Sequence, residues 1–178
     1  SCTQKDEKAK YIFLFIGDGM GNSHVSVTES YLSWKEGKLG GEQLRMTTFP
    51  VYGTATSHSA DKRVTDSSAA GTAIACGEKT NNSYLGVDPE GNQLTSILRK
   101  AQTMGKKTGI VVNTTLTEAT PASFYAGVNS RYKTFDIAKQ FTESGVDVAI
   151  GAGLDRFIGR PDSLDLTATL IEKGYDVY

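Results

Sequence analysis

The feature that most restricts how this chain can fold is a run of very small residues directly after an acidic one. Small side chains fill nearly every position of residues 68–75, which favours a helix, and Gly77 is suited to end it in the left-handed conformation. Ser67 would then lie at the helix N-terminus, where unpaired backbone N–H groups and the helix dipole favour an anion. A hydroxyl there is a candidate nucleophile towards a phosphate ester. Taken alone, a serine at such a position is more often an ordinary N-cap residue.

An apolar, β-rich segment at residues 11–16 leads into the glycine-rich loop 17–21, and a helix is expected from about His24 to Glu36. The apolar run predicts a fully buried strand, and Asp18 at its carboxyl end lies where open α/β sheets place their sites. A dinucleotide-binding loop is disfavoured, because the third glycine is missing and Asp18 would repel a pyrophosphate unless a cation lay between them. A metal ligand fits better, although a structural turn explains the loop alone equally well.

A third segment, residues 116–126, follows another predicted buried strand at 107–113. Its Glu118 and Thr120 carry hard oxygen donors of the kind that Mg²⁺ prefers. Arg131 can offer a planar, two-pronged contact to a phosphate. A single arginine is more often a solvated or ion-paired surface residue, so the three segments have to be interpreted together.

Together, these segments resemble the alkaline phosphatase family. The family pattern around its nucleophile is matched in full, with Ser67 directly after Asp66. The resemblance extends from about residue 11 to residue 178. The segments that carry it are 17–21, 64–72, 76–80, 85–88, 119–122 with Arg131, and 147–153.

The resemblance implies metal-dependent hydrolysis of small phosphate monoesters through a phosphoserine intermediate, with two zinc ions and one magnesium ion in the complete enzyme. Asp18 would bridge a zinc ion and the magnesium ion, while Ser67 would bind that zinc through Oγ and attack phosphorus. Arg131 would bind two phosphate oxygens and be oriented by Asp66. Thr120 would complete part of the magnesium shell. A homodimer is also expected from the resemblance.

Ser68 occupies the first small-residue position of the family pattern, so Ser67 is the expected nucleophile. Glu118 stands where relatives carry Asp or His near the magnesium, and it can bind the metal directly or through a water. Gly127 replaces a larger side chain and should leave that wall of the cleft more open. The two histidines, His24 and His58, match no family motif and are expected to be surface or packing residues.

The zinc ligands still needed would therefore lie outside this sequence, and the isolated chain is expected to be inactive. Two alternatives stay open. The chain alone can be a non-catalytic fragment with weak affinity for phosphate or Mg²⁺, or it can belong to another hydrolase of the superfamily, such as a phosphodiesterase. Sulfatases, phosphodiesterases and phosphoglycerate mutases share the broader fold, but they lack the run of small residues after the Asp-Ser pair.

Short predicted strands alternate with predicted helices along the chain, which indicates an α/β domain. This alternation is typical of a parallel sheet covered by helices on both faces. Further helices are predicted at 94–104, 135–143 and 164–173. Asp162 or Ser163 should cap the last helix, and Gly174 should end it before a strand at 175–178. With the family resemblance, we expect residues 10–178 to form the N-terminal part of a three-layer α/β/α sandwich with a mainly parallel sheet. A natural domain seldom stops at a strand in this way, so the predicted strand at 175–178 suggests that the domain is truncated.

A net charge of −1 gives no indication of nucleic-acid binding, and no apolar run reaches the ~18 residues of a membrane span. Residues 1–9 are polar and predict a flexible tether. Within it, a small residue precedes Cys2 as in a bacterial lipoprotein signal. A lipid on Cys2 would anchor an exported protein, periplasmic or membrane-attached. The alternative, which the sequence supports equally, is that this chain begins at an arbitrary boundary and that Cys2 is an unpaired cysteine.

Overall fold

The computed structural model describes residues 9–178, which fall into two compact units, residues 9–53 and Thr54–Tyr178. The predicted tether at 1–9, including Cys2, therefore lies almost wholly outside the described residues. The first unit contains helix α1 (Asn22–Lys35) and a short 3₁₀ helix at Arg45–Thr48.

The strand predicted at residues 11–16 is absent from the described part of the first unit, and the prediction was wrong on this point. Its side chains are exposed, with Phe15 at 88%. A strand needs a neighbour to receive its backbone hydrogen bonds, and residues 9–53 contain no second strand. Apolar, β-branched composition alone was therefore not enough to form the element within this unit.

The second unit carries the remaining helices and a pair of strands. In chain order these are α2 (Ser67–Cys76), α3 (Ile97–Thr103), β1 (Gly109–Thr115), α4 (Ala119–Ala122), α5 (Thr134–Phe141), β2 (Val148–Ala152), a 3₁₀ helix at Leu154–Arg156, and α6 (Leu166–Glu172). Helices α2, α3, α5 and α6 begin and end within three residues of their predicted bounds, whereas α4 was not predicted. Strand β1 begins and ends two residues later than the predicted strand, and β2 lies inside the segment 147–153.

Two details at the end of the chain differ from the sequence prediction. Asp165 caps α6, through an oxygen that accepts the N–H groups of Thr167 and Ala168. The predicted cap, Asp162 or Ser163, was wrong because Asp162 is engaged by the guanidinium of Arg160 at 2.7 Å instead. Gly174 does follow the helix, with φ +89°. Residues 175–178 form no strand, because the described residues pair no neighbouring strand with them.

Strands β1 and β2 pair in parallel, with Ile110 opposite Ala149 and Val111 opposite Ile150. The chain connects them through α4 and α5, as parallel strands require a crossover. Ile110 and Ala149 face the apolar core, whereas Val111 and Ile150 on the other face are exposed. Strand β1 ends at Thr115, three residues before Glu118, so the chain itself places Glu118 at the carboxyl end of this strand.

The core behind the sheet is built around aromatic side chains from three segments. Phe141 of α5 packs edge-on against Tyr125 and Phe157, with ring centroids 5.3 and 5.9 Å apart. The hydroxyl of Tyr125 donates to the carbonyl of Leu116 at 2.8 Å, and burial raises the pKa of this tyrosine. Burying side chains of this size contributes roughly 1.5–3 kcal/mol each. The core thereby fixes the segments on either side of α4.

Helix α2 packs closely against α4 because its middle residue is a glycine. A Cβ at Gly71 would lie 2.8 Å from Ser123 Oγ and 3.4 Å from Thr120 Cα. Ser123 is itself buried, and its hydroxyl donates to the carbonyl of Ala119 at 2.8 Å. The small residues of α2 thus allow the helix that begins at Ser67 to lie against the helix that carries Thr120.

This contact predicts the stability of two variants. Gly71→Ala should lower the free energy of unfolding by up to about 2 kcal/mol, because overpacking costs about 1–3 kcal/mol and helix propensity returns about 1 kcal/mol. Urea denaturation measures the difference. In a Ser123→Ala background the nearest atom is gone, so the same substitution should be neutral or stabilising. An equal loss in both backgrounds would contradict the close contact.

Candidate active site

The N-terminus of α2 is capped by Asp66 and not by Ser67. Asp66 Oδ1 accepts the N–H of Ala69 at 3.0 Å, and the helix ends at Gly77, whose φ is +78°. Ser67 is the first helical residue. The ordinary capping explanation for this serine therefore does not apply, since its neighbour performs that role.

The two adjacent serines have different surroundings. Ser68 is fully buried, and its hydroxyl donates to Asp66 Oδ2 at 3.1 Å. Ser67 is only half-buried at the first turn of the helix. A nucleophile has to be reached by its substrate, so the exposure favours Ser67 over Ser68.

Arg131 lies between two carboxylates of the second unit. Its Nη2 donates to Glu118 Oε1, and its Nη1 lies 3.6 Å from Asp66 Oδ2. The guanidinium is about one-quarter exposed, so it is held in place and still open to solvent. The structure thus brings together three of the predicted site residues, Asp66, Glu118 and Arg131.

Glu118 and Thr120 reach this cluster through the end of β1. The N–H of Glu118 donates to the carbonyl of Thr115, the last residue of the strand, at 3.1 Å. Its carboxylate accepts the N–H of Ala119 at 3.0 Å and so caps the short helix α4. Thr120 is half-buried on α4, whose backbone lies against α2 at Gly71. Both predicted magnesium residues are therefore at the carboxyl end of a parallel strand, where α/β folds place their sites.

A cleft of about 480 Å³ opens beside the cluster. Glu118, Arg131, Tyr132 and Arg156 contribute to its lining, whereas Ser67 is not among its lining residues. A larger cavity of about 580 Å³ lies elsewhere in the second unit. Gly127, which was expected to open a wall of the active-site cleft, lines that larger cavity instead. It packs there against Gln93, whose side chain fills the space a Cβ would need.

Asp18 and His24 belong to the first unit, whereas His58 belongs to the second. Asp18 is exposed in a turn of the first unit, closed by a hydrogen bond from the N–H of Met20 to the carbonyl of Gly17 at 3.1 Å; its place in the site stays a prediction. His24 accepts the N–H of Gly21 at 3.1 Å at the start of α1. His58 is exposed, with Nδ1 3.0 Å from the carbonyl of Ser59.

The described residues do not fit a complete zinc site. Over 9–178, no three His, Cys, Asp or Glu side chains are grouped so that they can hold a metal ion. A catalytic zinc ion needs about three protein ligands. Glu118 and Thr120 offer the hard oxygen donors that suit Mg²⁺, so the donor chemistry fits part of a magnesium shell.

Sequence reasoning missed a second set of residues around Asp66. The turn at residues 81–84 packs against the cap, with the N–H of Ser83 donating to Asp66 Oδ2 at 2.9 Å and Asn82 Oδ1 accepting the N–H of Asp66 at 3.1 Å. Consecutive Asn and Ser residues are a signal for a turn. That signal does not say which distant residue the turn contacts.

Fold and site define an α/β domain in which a serine at a helix N-terminus directly follows an aspartate that lies 3.6 Å from an arginine. The sequence model for alkaline phosphatase matches residues 9–165. The chain therefore belongs to the alkaline phosphatase family. Alkaline phosphatase 4 of Bacillus subtilis is 34% identical over 97% of this chain.

Solved structures agree with this assignment and confirm the expected α/β fold. Alkaline phosphatase from the Antarctic bacterium TAB5 superposes on 90% of the chain with a TM-score of 0.83 and 36% identity. The Thermus thermophilus enzyme superposes on 89% with a TM-score of 0.80 and 34% identity. The chain spans about two fifths of the length of these relatives, with 39% of the B. subtilis protein, 45% of the TAB5 chain and 34% of the Thermus chain covered.

The bonds of Asp66 predict a graded loss of stability. Asp66→Ala removes the cap of α2 and leaves the buried Ser68 hydroxyl and the Ser83 N–H without their acceptor. We expect it to cost about 1–3 kcal/mol in the free energy of unfolding. Asp66→Asn keeps one oxygen for the cap and should cost less. Chemical denaturation of both variants measures this order, and an Asp66→Ala protein as stable as the wild type would contradict it.

Proposed function

We propose that the protein to which this chain belongs hydrolyses small phosphate monoesters, with Ser67 as nucleophile and Arg131 as the phosphate ligand. The observation that carries the proposal is the cluster at the start of α2. A half-buried serine at a helix N-terminus lies next to Asp66, which is 3.6 Å from a partly exposed guanidinium. Helix N-termini and arginine forks are both suited to phosphate oxygens.

The covalent steps follow from these groups. The Ser67 hydroxyl releases its proton to solvent and Oγ attacks phosphorus as the bond to the alcohol oxygen breaks, and the alcohol leaves with a proton taken up from solvent. Water then attacks phosphorus of the phosphoserine, the P–Oγ bond breaks, Ser67 Oγ takes up one proton of that water through solvent, and inorganic phosphate is released. Arg131 binds two non-reacting oxygens in both steps, and Asp66 keeps its side chain in position.

The charge of the cluster supports the metal dependence of this reaction. Two carboxylates, Asp66 and Glu118, face one guanidinium, so the cluster carries an excess of negative charge. A phosphate dianion would be repelled by that excess unless cations were added. Bound metal ions supply this positive charge and lower the pKa of a coordinated hydroxyl.

We propose that Glu118 and Thr120 hold magnesium, and Asp18 stays the further oxygen ligand that the family resemblance implies. Variants of the TAB5 enzyme in which a histidine is replaced by aspartate or by glutamate have been solved with Mg bound in the M3 site. An acidic replacement of a histidine is therefore compatible with magnesium binding in that relative, which supports the role proposed for Glu118. Two zinc ions stay an expectation from the family resemblance, with Asp18 and Ser67 as the candidate ligands here. No step is assigned to them, because the described residues do not complete their site.

Export, a lipid on Cys2 and a homodimer stay predictions. Within residues 9–178, none of the helices combines the length and the apolar character needed to cross a membrane. Cys2 lies outside the described residues.

Trapping the intermediate tests the nucleophile. In the protein expressed from its natural gene, acid quenching with a ³²P-labelled substrate should place the label on Ser67. Ser67→Ala should lower kcat by several orders of magnitude, while Ser68→Ala, a change at a buried hydroxyl, should be mild. Label on Ser68, or near-normal turnover by the Ser67→Ala enzyme, would rule the assignment out and favour a different hydrolase chemistry.

The second candidate, a non-catalytic fragment, is tested on the 178-residue chain itself. We expect the purified chain to show no useful turnover of an aryl phosphate with zinc and magnesium added, because Asp18 and Ser67 are the candidate zinc ligands on it and about three are needed per ion. Any weak phosphate or Mg²⁺ affinity would be visible by calorimetry. Metal-dependent turnover that disappears in Ser67→Ala would show that the ligand count is wrong.

A further inference from the structure

A single residue of the turn at 81–84 contacts two members of the cluster of Asp66, Glu118 and Arg131 through its backbone. The N–H of Ser83 donates to Asp66 Oδ2 at 2.9 Å, and the carbonyl of Ser83 accepts the N–H of Arg131 at 2.8 Å. The capping carboxylate and the arginine main chain are therefore fixed to one peptide segment. Together with the 3.6 Å ion pair between Arg131 and Asp66, these bonds close a ring of three residues.

The backbone of Ser83 adopts a conformation that side chains rarely accept. Its φ is +75°, in the left-handed region where a residue with a Cβ is strained. Such strain persists when the surroundings hold the residue in place. Here the N–H and the carbonyl are each engaged by a residue of the cluster, so the strained conformation is the one that reaches both.

Asn82 anchors the turn from the preceding position. Its Oδ1 accepts the N–H of Asp66 at 3.1 Å, and its Nδ2 donates to the carbonyl of Val64 at 3.0 Å. Its own N–H donates to Asp61 Oδ1 at 2.8 Å, a bond that lowers the pKa of the Asp61 carboxyl. The turn is thus tied to the segment that leads into α2 before it meets Arg131.

We propose that the Asn82–Ser83 turn is a positioning element that sets the distance between Arg131 and the nucleophile end of α2. The inference rests on the proposed role of Arg131 in binding phosphate. Side-chain pairing with Asp66 and Glu118 aims the guanidinium, while the Ser83 carbonyl fixes the backbone from which that side chain extends. Since a displacement of about 1 Å can cost two orders of magnitude in rate, a turn that fixes both partners acts on phosphate binding without touching the substrate.

Two substitutions at Ser83 distinguish the effect of its backbone conformation from the effect of losing its hydroxyl, because Ser83→Gly and Ser83→Val both remove the hydroxyl. Ser83→Gly keeps φ near +75° without strain. Ser83→Val has a branched Cβ that disfavours this region, so it should rotate the N–H and the carbonyl away from Asp66 and Arg131. The affinity for inorganic phosphate, measured by calorimetry on the natural protein with zinc and magnesium present, is the readout.

The expected affinities differ clearly between these variants. Arg131→Ala should weaken phosphate binding by about 30-fold or more, as loss of a charged bidentate contact. Ser83→Val should weaken it by roughly 10-fold or more, and Ser83→Gly should stay within about twofold of the wild type. In the Arg131→Ala background, Ser83→Val should have little further effect, because a positioning residue acts through the arginine it positions. If Ser83→Val acted only by disturbing the structure in general, it would weaken phosphate binding by the same factor in the wild type and in the Arg131→Ala background.

The outcomes distinguish this inference from the proposed function. Unchanged phosphate affinity in Arg131→Ala would overturn the proposed phosphate role, and this inference with it. A loss in Arg131→Ala while Ser83→Val matches Ser83→Gly would overturn this inference alone. If Ser83→Val does not fold, Asn82→Ala takes its place, since it removes the bonds to Asp66 and Val64. It should weaken phosphate binding in the same non-additive way, and unchanged or fully additive binding would contradict the proposal.

Discussion

The carboxylate of Asp66 is the interaction on which the rest of the site depends. One oxygen caps α2 through the N–H of Ala69, and the other accepts from the Ser68 hydroxyl and the Ser83 N–H. The same carboxylate lies 3.6 Å from the Arg131 guanidinium. One charged group therefore positions the start of α2, the buried Ser68, the turn at 81–84 and Arg131. This arrangement leaves Ser67, directly after it, as the half-buried hydroxyl at the helix N-terminus.

The same cluster explains why the proposed hydrolysis of a phosphate ester needs bound cations beside the carboxylates of Asp66 and Glu118. Arg131 is paired on both sides, by Asp66 and by Glu118, and an unpaired arginine would bind a phosphate more strongly than one already neutralised. Paired carboxylates hold the fork in a fixed orientation, at the cost of local negative charge. In the proposed reaction, bound cations would neutralise the carboxylates and attract the phosphoryl group. Glu118 and Thr120 carry donors that suit part of a magnesium shell, and the chain spans about two fifths of the length of its relatives.

Helices α2, α3, α5 and α6 of the second unit and its strand β1 could be predicted because each has a local signal. Helix α4 was not predicted, and the roles of the candidate site residues stay predictions. Gly77 and Gly174 end helices in the left-handed conformation, and the segments 119–122 and 64–72 match a specific family pattern. The strands predicted at 11–16 and 175–178 failed because pairing is a non-local property that composition does not encode. The Ser83 contacts could not be predicted, since they use backbone groups that every residue has. Only the fold decides which distant side chain such groups meet.

In the reaction proposed above, the Ser67 hydroxyl and the Arg131 guanidinium bind one phosphoryl group together. The most direct test is a crystal structure of the natural protein with metals and vanadate, a mimic of the pentacoordinate transition state. We expect vanadium bonded to Ser67 Oγ, with Arg131 donating to two equatorial oxygens and Asp66 still in contact with Arg131. Vanadate bonded to Ser68, or bound at a site that contacts neither Ser67 nor Arg131, would contradict the account.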